Sequence, residues 1–126
     1  MIETNIRKGL AILLLFLFSI LSCQNSSDWY PDGKVSVSSF SEDTDASGDK
    51  YCTVFYCIEN VGQSKISQST ISFLITTDKN EYYVTKVNEN SILPDGKIWD
   101  SIVVTYFDPT EISSKDNVSI KDSFFE

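Results

Sequence analysis

The chain has 126 residues, a formal net charge of −8 at pH 7 and no histidine. The phosphate backbone of a nucleic acid repels an acidic chain. Arg7 is also the one arginine that could bind base edges or phosphates. The composition therefore excludes nucleic acid as a partner. The lack of histidine removes the commonest general base and metal ligand. These counts favour a binding or structural role over catalysis.

The N-terminal stretch is typical of a secretory signal. Arg7 and Lys8 form a positive region, and the apolar run of residues 10–21 follows them. This run is shorter than the ~20 residues that a membrane-spanning helix needs, and its length matches the apolar part of a signal peptide. We therefore expect the remainder of the chain to lie outside the cytoplasm.

The residues that end this stretch carry a more specific pattern. Ile20-Leu21-Ser22-Cys23 resembles the lipobox of bacterial lipoproteins. The resemblance implies cleavage before Cys23, a diacylglycerol on its thiol and acylation of the new amino terminus. Such a protein is held on the inner or outer membrane of the bacterial cell envelope by its acyl chains, without a spanning helix. The alternative is an ordinary cleaved signal peptide with no lipid.

This interpretation divides the chain into three parts. Residues 1–22 are the signal peptide to be removed, residues 23–33 are the lipidated cysteine and a short tether, and residues 34–126 form one domain. From Cys23 to Trp29 the chain reaches at most ~20 Å, so we expect the domain to sit close to its membrane. No arginine remains after cleavage, so a polybasic attraction to anionic lipid is not expected.

Beyond the tether, short β-like runs alternate with turn clusters. This pattern predicts an all-β antiparallel sandwich of about six or seven strands. Pro31-Asp32-Gly33-Lys34 predicts a turn, in which proline presets φ and glycine is free to take a positive φ. The first strand is predicted at residues 35–40, and residues 41–49 are predicted to form a polar, acidic loop.

The strongest predicted strand covers residues 51–59, which are rich in aromatic and β-branched side chains. After a turn at Asn60-Val61-Gly62, Ile71, Phe73 and Ile75 are predicted to form one face of the next strand. The remaining predicted features are a strand at 82–87, a repeat of the Pro-Asp-Gly-Lys turn at 94–97, a strand with Ile102, Val104 and Tyr106 on one face, a break at Asp108-Pro109, and a last strand at 118–124.

One stretch of this β region resembles a known group of modules. Tyr56-x-Ile58-x-Asn60-Val61-Gly62, followed by Ile66 and Ile71-x-Phe73-x-Ile75, is similar to the core of bacterial Ig-like modules of the CARDB and FxLYD families. The similarity covers roughly residues 35–107. It implies an Ig-like β-sandwich and an accessory or interaction role on a cell surface, with no shared active site.

The two cysteines of the domain are not expected to pair with each other. Cys52 and Cys57 lie on one predicted strand, so their Cα atoms should be ~17 Å apart, beyond the ~7 Å limit for a disulfide. Their odd separation puts them on opposite faces. We expect Cys52 to be buried beside Val54 and Tyr56, and Cys57 to lie with Phe55 on the other face, where a bond to a second chain is the open alternative.

The acidic loop contains a partial metal-binding pattern. Asp43-x-Asp45-x-Ser47-Gly48-Asp49 matches the first half of a calcium loop, but Val54 stands where such a loop has its bidentate glutamate. Two interpretations stay open, weak calcium binding through Asp43, Asp45 and Asp49, or a solvated acidic loop. No other cofactor is expected.

Aromatic residues occur as adjacent pairs along the chain, for example Tyr82-Tyr83 and Tyr106-Phe107. Neighbouring residues of a strand point to opposite faces, so each pair can send only one ring into a single core. The rings left outside are candidate contact surfaces, and we name Trp29, Tyr82, Tyr83 and Trp99 as candidates. An envelope protein partner, a glycan stacked on the rings, and coverage by loops all remain open.

Together these features predict a membrane-anchored bacterial envelope lipoprotein that is not an enzyme, because its many serines have no histidine to activate them. The expected role is a binding or accessory module for another envelope protein. Glycan binding through exposed aromatic rings is the alternative.

Overall fold

The computed structural model describes residues 30–126, so the predicted signal peptide, Cys23 and Trp29 lie outside the described residues. The described chain forms six strands and one 3-10 turn at Lys115–Asn117. The strands are β1 (Gly33–Thr44), β2 (Lys50–Asn60), β3 (Ser69–Thr76), β4 (Glu81–Asn88), β5 (Lys97–Thr105) and β6 (Val118–Phe125). In this part of the chain no helix is long and apolar enough to cross a membrane.

The strands form two three-stranded sheets that pack as a sandwich. Sheet I has the order β1-β2-β5, sheet II has the order β4-β3-β6, and all neighbouring strands are antiparallel. The predicted all-β sandwich is therefore confirmed, with six strands. The chain crosses between the sheets after β2, β4 and β5, and the two orders match the A-B-E and C′-C-F arrangement of Ig-like sandwiches.

The core lies between the two central strands, β2 and β3. The alternating residues predicted to share a face, Ile71, Phe73 and Ile75, are all fully buried. They pack against the inner residues of β2, and the rings of Tyr56 and Phe73 lie 4.9 Å apart between centroids. Full burial of each such side chain stabilises the fold by about 1.5–3 kcal/mol. This central pair therefore supplies much of the apolar stabilisation.

The first strand is longer than predicted. β1 continues to Thr44, which pairs with Lys50, so the predicted loop at 41–49 shrinks to a turn at 45–49. The prediction was wrong because polar residues on a solvent-facing edge strand still gain the backbone hydrogen bonds of the ladder. The Asp45 carboxylate closes the turn by accepting the N–H groups of Ser47 at 2.9 Å and Asp49 at 3.0 Å, and Gly48 takes a φ of 89° there.

The two Pro-Asp-Gly-Lys copies adopt different conformations, so the prediction of one turn used twice was wrong. In the first copy Gly33 already belongs to β1, and a Cβ atom there would lie 2.5 Å from the ring of Phe125. In the second copy Gly96 donates to the Leu93 carbonyl at 2.8 Å, and the positive φ of 66° falls on Asp95. Glycine at position 33 therefore makes room for a neighbouring ring.

Asn60 organises the point where the chain leaves sheet I. Its side-chain amide, 1% exposed, donates to the carbonyls of Ser64 and Ile92, both at 2.8 Å, and accepts the Gly62 N–H at 3.0 Å. Its backbone also donates to the Gly96 carbonyl at 3.0 Å and accepts the Asp95 N–H at 3.2 Å. Through these hydrogen bonds, the buried Asn60 holds the β2–β3 connection against the β4–β5 connection.

Each of the four edge strands carries a feature that discourages pairing with another chain. β1 and β6 contain bulges, with Ser38 and Lys121 as the extra residues. β4 and β5 place the charged residues Lys86 and Asp100 on their inner faces, opposite Ile71 and Tyr56 respectively. These features leave the faces of the sandwich, rather than its edges, as the surfaces suited to specific contacts.

The sandwich has two ends. We call the end at which the described residues begin the proximal end. It contains Tyr30–Asp32 and the connections at 61–68 and 89–96. The distal end contains the turns at 45–49 and 77–80 and the connection at 106–117. All six strands run between these two ends.

Candidate binding face

The outer face of sheet I carries an uncharged surface made of three cross-strand rows. Residues opposite each other in antiparallel strands share a face, with Cβ atoms about 5 Å apart. The rows, read from β1 through β2 to β5, are Ser36, Cys57 and Trp99, then Ser39, Phe55 and Ser101, then Ser41, Thr53 and Val103. We call these nine residues the uncharged face.

The apolar part of the uncharged face is open to solvent. Phe55 is 43% exposed, Trp99 68% and Val103 61%. Trp99 and Val103 flank Phe55 diagonally across the β2–β5 pair, which brings large side chains within reach of each other. The three residues therefore form one continuous apolar area, which is the kind of surface that marks a binding site.

Charged residues border this surface at both ends. Towards the proximal end, Lys34, Glu59 and Lys97 form the next row, with the Lys97 Nζ 3.9 Å from a Glu59 carboxylate oxygen. Towards the distal end, Asp43 pairs with Tyr51. Three successive rows without a charge stand out in a chain of which 22% is charged. The surface is suited to apolar contacts and hydroxyl hydrogen bonds rather than to ion pairing.

Of the four aromatic residues predicted as contact sites, the three that the structure describes do not come together. Trp99 lies on the uncharged face, whereas Tyr83 lies on the outer face of sheet II beside Leu74 and is 71% exposed. Tyr82 is only 7% exposed, so its prediction as a contact residue is wrong. It lies opposite Ile75, whose side chain faces the core. Trp29 lies outside the described residues.

The pairing of aromatic neighbours into one inner and one outer ring is confirmed. Tyr56, Tyr82 and Tyr106 are buried, while their neighbours Phe55, Tyr83 and Phe107 are exposed. Phe55 and Val103 are nonetheless absent from the predicted contact set. The alternation of β2 places Phe55 outside, but only the pairing of β2 with β5 brings it beside Trp99 and Val103.

Cys52 and Cys57 lie on opposite faces, as predicted. Cys52 is fully buried beside Val54 and Tyr56, Cys57 is half-buried on the uncharged face, and both are free thiols. Burial is the main cause that raises the pKa of the Cys52 thiol. A buried, protonated thiol is unreactive.

We expect a water-soluble thiol reagent to modify Cys57 in the folded protein and to reach Cys52 only after unfolding. Peptide mass mapping before and after denaturation measures this directly. Equal modification of both positions in the folded protein would contradict the burial of Cys52.

The acidic turn does not gather its carboxylates into a metal site. Asp45 already accepts two backbone N–H groups, and Asp43 accepts the Thr44 N–H at 2.8 Å. Within residues 30–126, no group of three or more His, Cys, Asp or Glu side chains could hold a metal ion. Weak calcium binding through Asp43, Asp45 and Asp49 stays a prediction without support from this geometry.

A buried carboxylate at the distal end is a structural residue that the sequence analysis missed. Glu111 has no exposed surface and accepts hydrogen bonds from the Thr77 hydroxyl at 2.5 Å, the Tyr82 hydroxyl at 2.8 Å and the Asp108 N–H at 2.9 Å. The Tyr82 oxygen in turn accepts the Phe107 N–H at 2.9 Å. Burial raises the pKa of Glu111, but these donors outweigh it and lower the pKa to about 2.

The Glu111 network holds the β3–β4 turn against the β5–β6 connection. It also explains why Tyr82 is directed inward, since its hydroxyl has a buried carboxylate to bind. Beside it lies a shallow hollow of about 390 Å³ lined by Thr76, Thr77, Asp78, Ile112, Ser113, Ser114 and Asn117. The hollow is separate from the uncharged face, because it lies at the distal end.

Comparison with known proteins does not identify a family for this chain. No protein-family model and no curated protein matches the sequence. Among solved structures, the chain is similar to the "X-ray structure of Northeast Structural Genomics Consortium target SoR45", with 13% identity and a TM-score of 0.45 over 78% of this chain and 86% of that one.

Proposed function

We propose that this protein is a lipid-anchored lipoprotein of the bacterial cell envelope whose β-sandwich is a non-catalytic binding or accessory module for another envelope protein. The observation that carries the proposal is the uncharged face, with Phe55, Trp99 and Val103 exposed in one area. The lipobox-like sequence at Cys23 supports the anchor. The pattern at residues 56–75, which resembles CARDB and FxLYD modules and stays a prediction from the sequence, implies an accessory role.

The size of the uncharged face favours a protein partner. Three strands and about five residues along each define an area on the order of 250 Å². A typical specific interface buries ~800 Å² on each partner. The uncharged face therefore suits the apolar centre of an interface, with Trp99 as the residue type most often found to dominate binding energy. The flanking charged rows would form the polar rim.

A photo-crosslinker placed at Ser101, between Phe55, Trp99 and Val103, tests this proposal in the native envelope. We expect it to capture one envelope protein stoichiometrically, and the same label at Thr85 on sheet II to capture none.

A dominant tryptophan contributes about 2 kcal/mol or more, so Trp99→Ser is expected to weaken affinity for the identified partner about 30-fold.

Tyr83→Ser is the matched control, because Tyr83 is equally exposed but lies on the opposite face. It should leave the affinity for the partner unchanged. Equal losses from Trp99→Ser and Tyr83→Ser, or capture by Thr85 as efficient as capture by Ser101, would contradict the proposal.

Glycan binding is the second candidate, and one observation favours it. The hydroxyl groups of Ser36, Ser39 and Ser41 lie on β1 alongside the aromatic residues of β2 and β5. Aromatic rings that stack on sugars, with hydroxyls nearby to hydrogen-bond them, suit a carbohydrate ligand. A glycan screen that finds a ligand lost with Trp99→Ala, together with no captured protein, would favour this candidate.

A further inference from the structure

The connections at the proximal end form one hydrogen-bonded unit. The Asp32 carbonyl accepts the N–H groups of Val61 at 3.1 Å and Gly62 at 3.2 Å. Asn60 is joined to the 93–96 turn through its backbone and to Ile92 through its side chain. The segment that enters β1, the β2–β3 connection and the β4–β5 connection are therefore held side by side.

Each of these three segments exposes one large apolar side chain. Tyr30 is 78% exposed, Val61 is 51% exposed and Leu93 is 66% exposed. None of the three lies in a strand. Val61 and Leu93 belong to the hydrogen-bonded unit, and Tyr30 lies two residues before Asp32, which joins that unit through its carbonyl. The proximal end therefore exposes three apolar side chains, Tyr30, Val61 and Leu93, which do not belong to the core. We call them the apolar tips.

The position of Tyr30 indicates what covers this end. Tyr30 begins the described chain, and the seven residues back to Cys23 reach at most about 25 Å. The proposed acyl anchor is attached at Cys23, so the membrane surface lies within that reach of the proximal end. Tyrosine is among the residues preferred at the interface between water and lipid.

We propose that the proximal end rests on the lipid bilayer, with Tyr30, Val61 and Leu93 inserted shallowly among the headgroups. This inference rests on the proposed lipid anchor, because the apolar tips alone are too few to hold the protein on a membrane. Asp32 and Asp95 lie next to the tips and are exposed. Their charge makes a zwitterionic surface a better match than an anionic one.

The distal end is a poorer match for the membrane. It also exposes apolar side chains, Phe107 and Ile112. However, β1 separates the two ends by about 35 Å, which exceeds the reach of the tether. If the proximal end contacts the membrane, the strands point away from the membrane surface. The uncharged face then remains accessible to a neighbouring envelope protein.

Lipid-located quenching tests the proposal on the full-length protein purified from membranes and returned to phosphatidylcholine vesicles. In a Cys57→Ser background, an environment-sensitive fluorophore is placed at Leu93→Cys or, as the matched control, at Ile112→Cys. We expect spin-labelled lipid to quench the fluorophore at position 93 several-fold more strongly than at position 112. Tyr30→Ser combined with Val61→Ser should reduce the quenching at position 93, and phosphatidylglycerol should not increase it.

Flotation with vesicles separates the two proposals. If the protein floats with vesicles but positions 93 and 112 are quenched equally, or position 112 is quenched more, the proximal contact is overturned and the anchor stands. If the protein floats no better than its Cys23→Ala variant, the anchor itself is refuted and the contact that rests on it is refuted too.

Discussion

The replacement Asn60→Asp is expected to lower the free energy of unfolding by about 4 kcal/mol at neutral pH. Aspartate keeps the acceptor for the Gly62 N–H but loses both donors, and it turns a carboxylate towards the carbonyls of Ser64 and Ile92. Asn60→Ala removes the two donors and the acceptor of the Gly62 N–H without adding a charge. At about 1 kcal/mol for each of these three hydrogen bonds, we expect a smaller loss of about 3 kcal/mol. Because small domains have a total stability of about 5–15 kcal/mol, both losses are severe.

The dependence on pH distinguishes the two variants. A carboxyl group buried against carbonyls has a folded-state pKa above its unfolded value, because the charged form is disfavoured. The Asn60→Asp penalty is therefore full at neutral pH and shrinks as the pH falls through that raised pKa, whereas the Asn60→Ala penalty does not. Urea unfolding at several pH values measures both.

Asn90→Asp is the control for this prediction. Asn90 lies at the same end of the sandwich but is exposed, so the same change of charge should alter stability by no more than about 0.5 kcal/mol. An Asn60→Asp variant as stable as Asn90→Asp would show that Asn60 does not hold the proximal connections together.

Removing the charge of Glu111 is expected to cost about 2 to 3 kcal/mol of stability near neutral pH. In Glu111→Gln the side chain keeps its size, but its NH₂ group must face a donor among Thr77, Tyr82 and the Asp108 N–H. The distal connections should loosen in consequence, and hydrogen exchange of the Phe107 N–H, which donates to Tyr82, should become faster.

The sign of the pH effect follows from the lowered pKa. The pKa of Glu111 falls from an ordinary 4.5 to about 2 in the folded protein, since hydrogen bonds to the carboxylate outweigh the effect of burial. Its contribution is therefore present above about pH 5 and is lost as the pH falls towards 2. The stability difference between the wild-type protein and Glu111→Gln should narrow across that range.

Thermal or urea unfolding between pH 2 and pH 7 measures this difference. Asp108 also has a pKa lowered to about 2, by its hydrogen bonds with Thr110 and by Lys79, so the wild-type protein is expected to lose stability in acid for more than one reason. Glu81→Gln, at an exposed position, serves as the control. A difference between wild type and Glu111→Gln that stays constant with pH would rule out the charged form as the source of stability.

Much of the local structure follows from the period-two alternation of the sequence. Residues 51–59 and the Ile71, Phe73 and Ile75 series were assigned to strands with the correct inner face, because strong alternation leaves only one face apolar. The opposite directions of Cys52 and Cys57 follow from the same rule. The extension of β1 to Thr44 was missed, since edge-strand residues are polar and their ladder bonds leave no apolar pattern.

The candidate site was only partly accessible from the sequence. Trp99 was named, yet Phe55 and Val103 were not, because their proximity depends on the pairing of β2 with β5. These strands are separated by two strands of the other sheet, and no local pattern specifies that contact. Tyr82 was misassigned because its buried partner Glu111 is distant in sequence.

The sequence alone therefore determined the β class of the domain and the inner and outer faces of its strongest strands. These depend on neighbouring residues only. The lipobox-like sequence at residues 20–23 stays a prediction. The tertiary structure decided which strands are neighbours, and therefore which exposed side chains form one surface. It also decided which buried polar groups bind each other and which connections lie at the same end of the sandwich. Such contacts arise only when distant segments pack together, since the free energy of burial depends on the partner as much as on the residue.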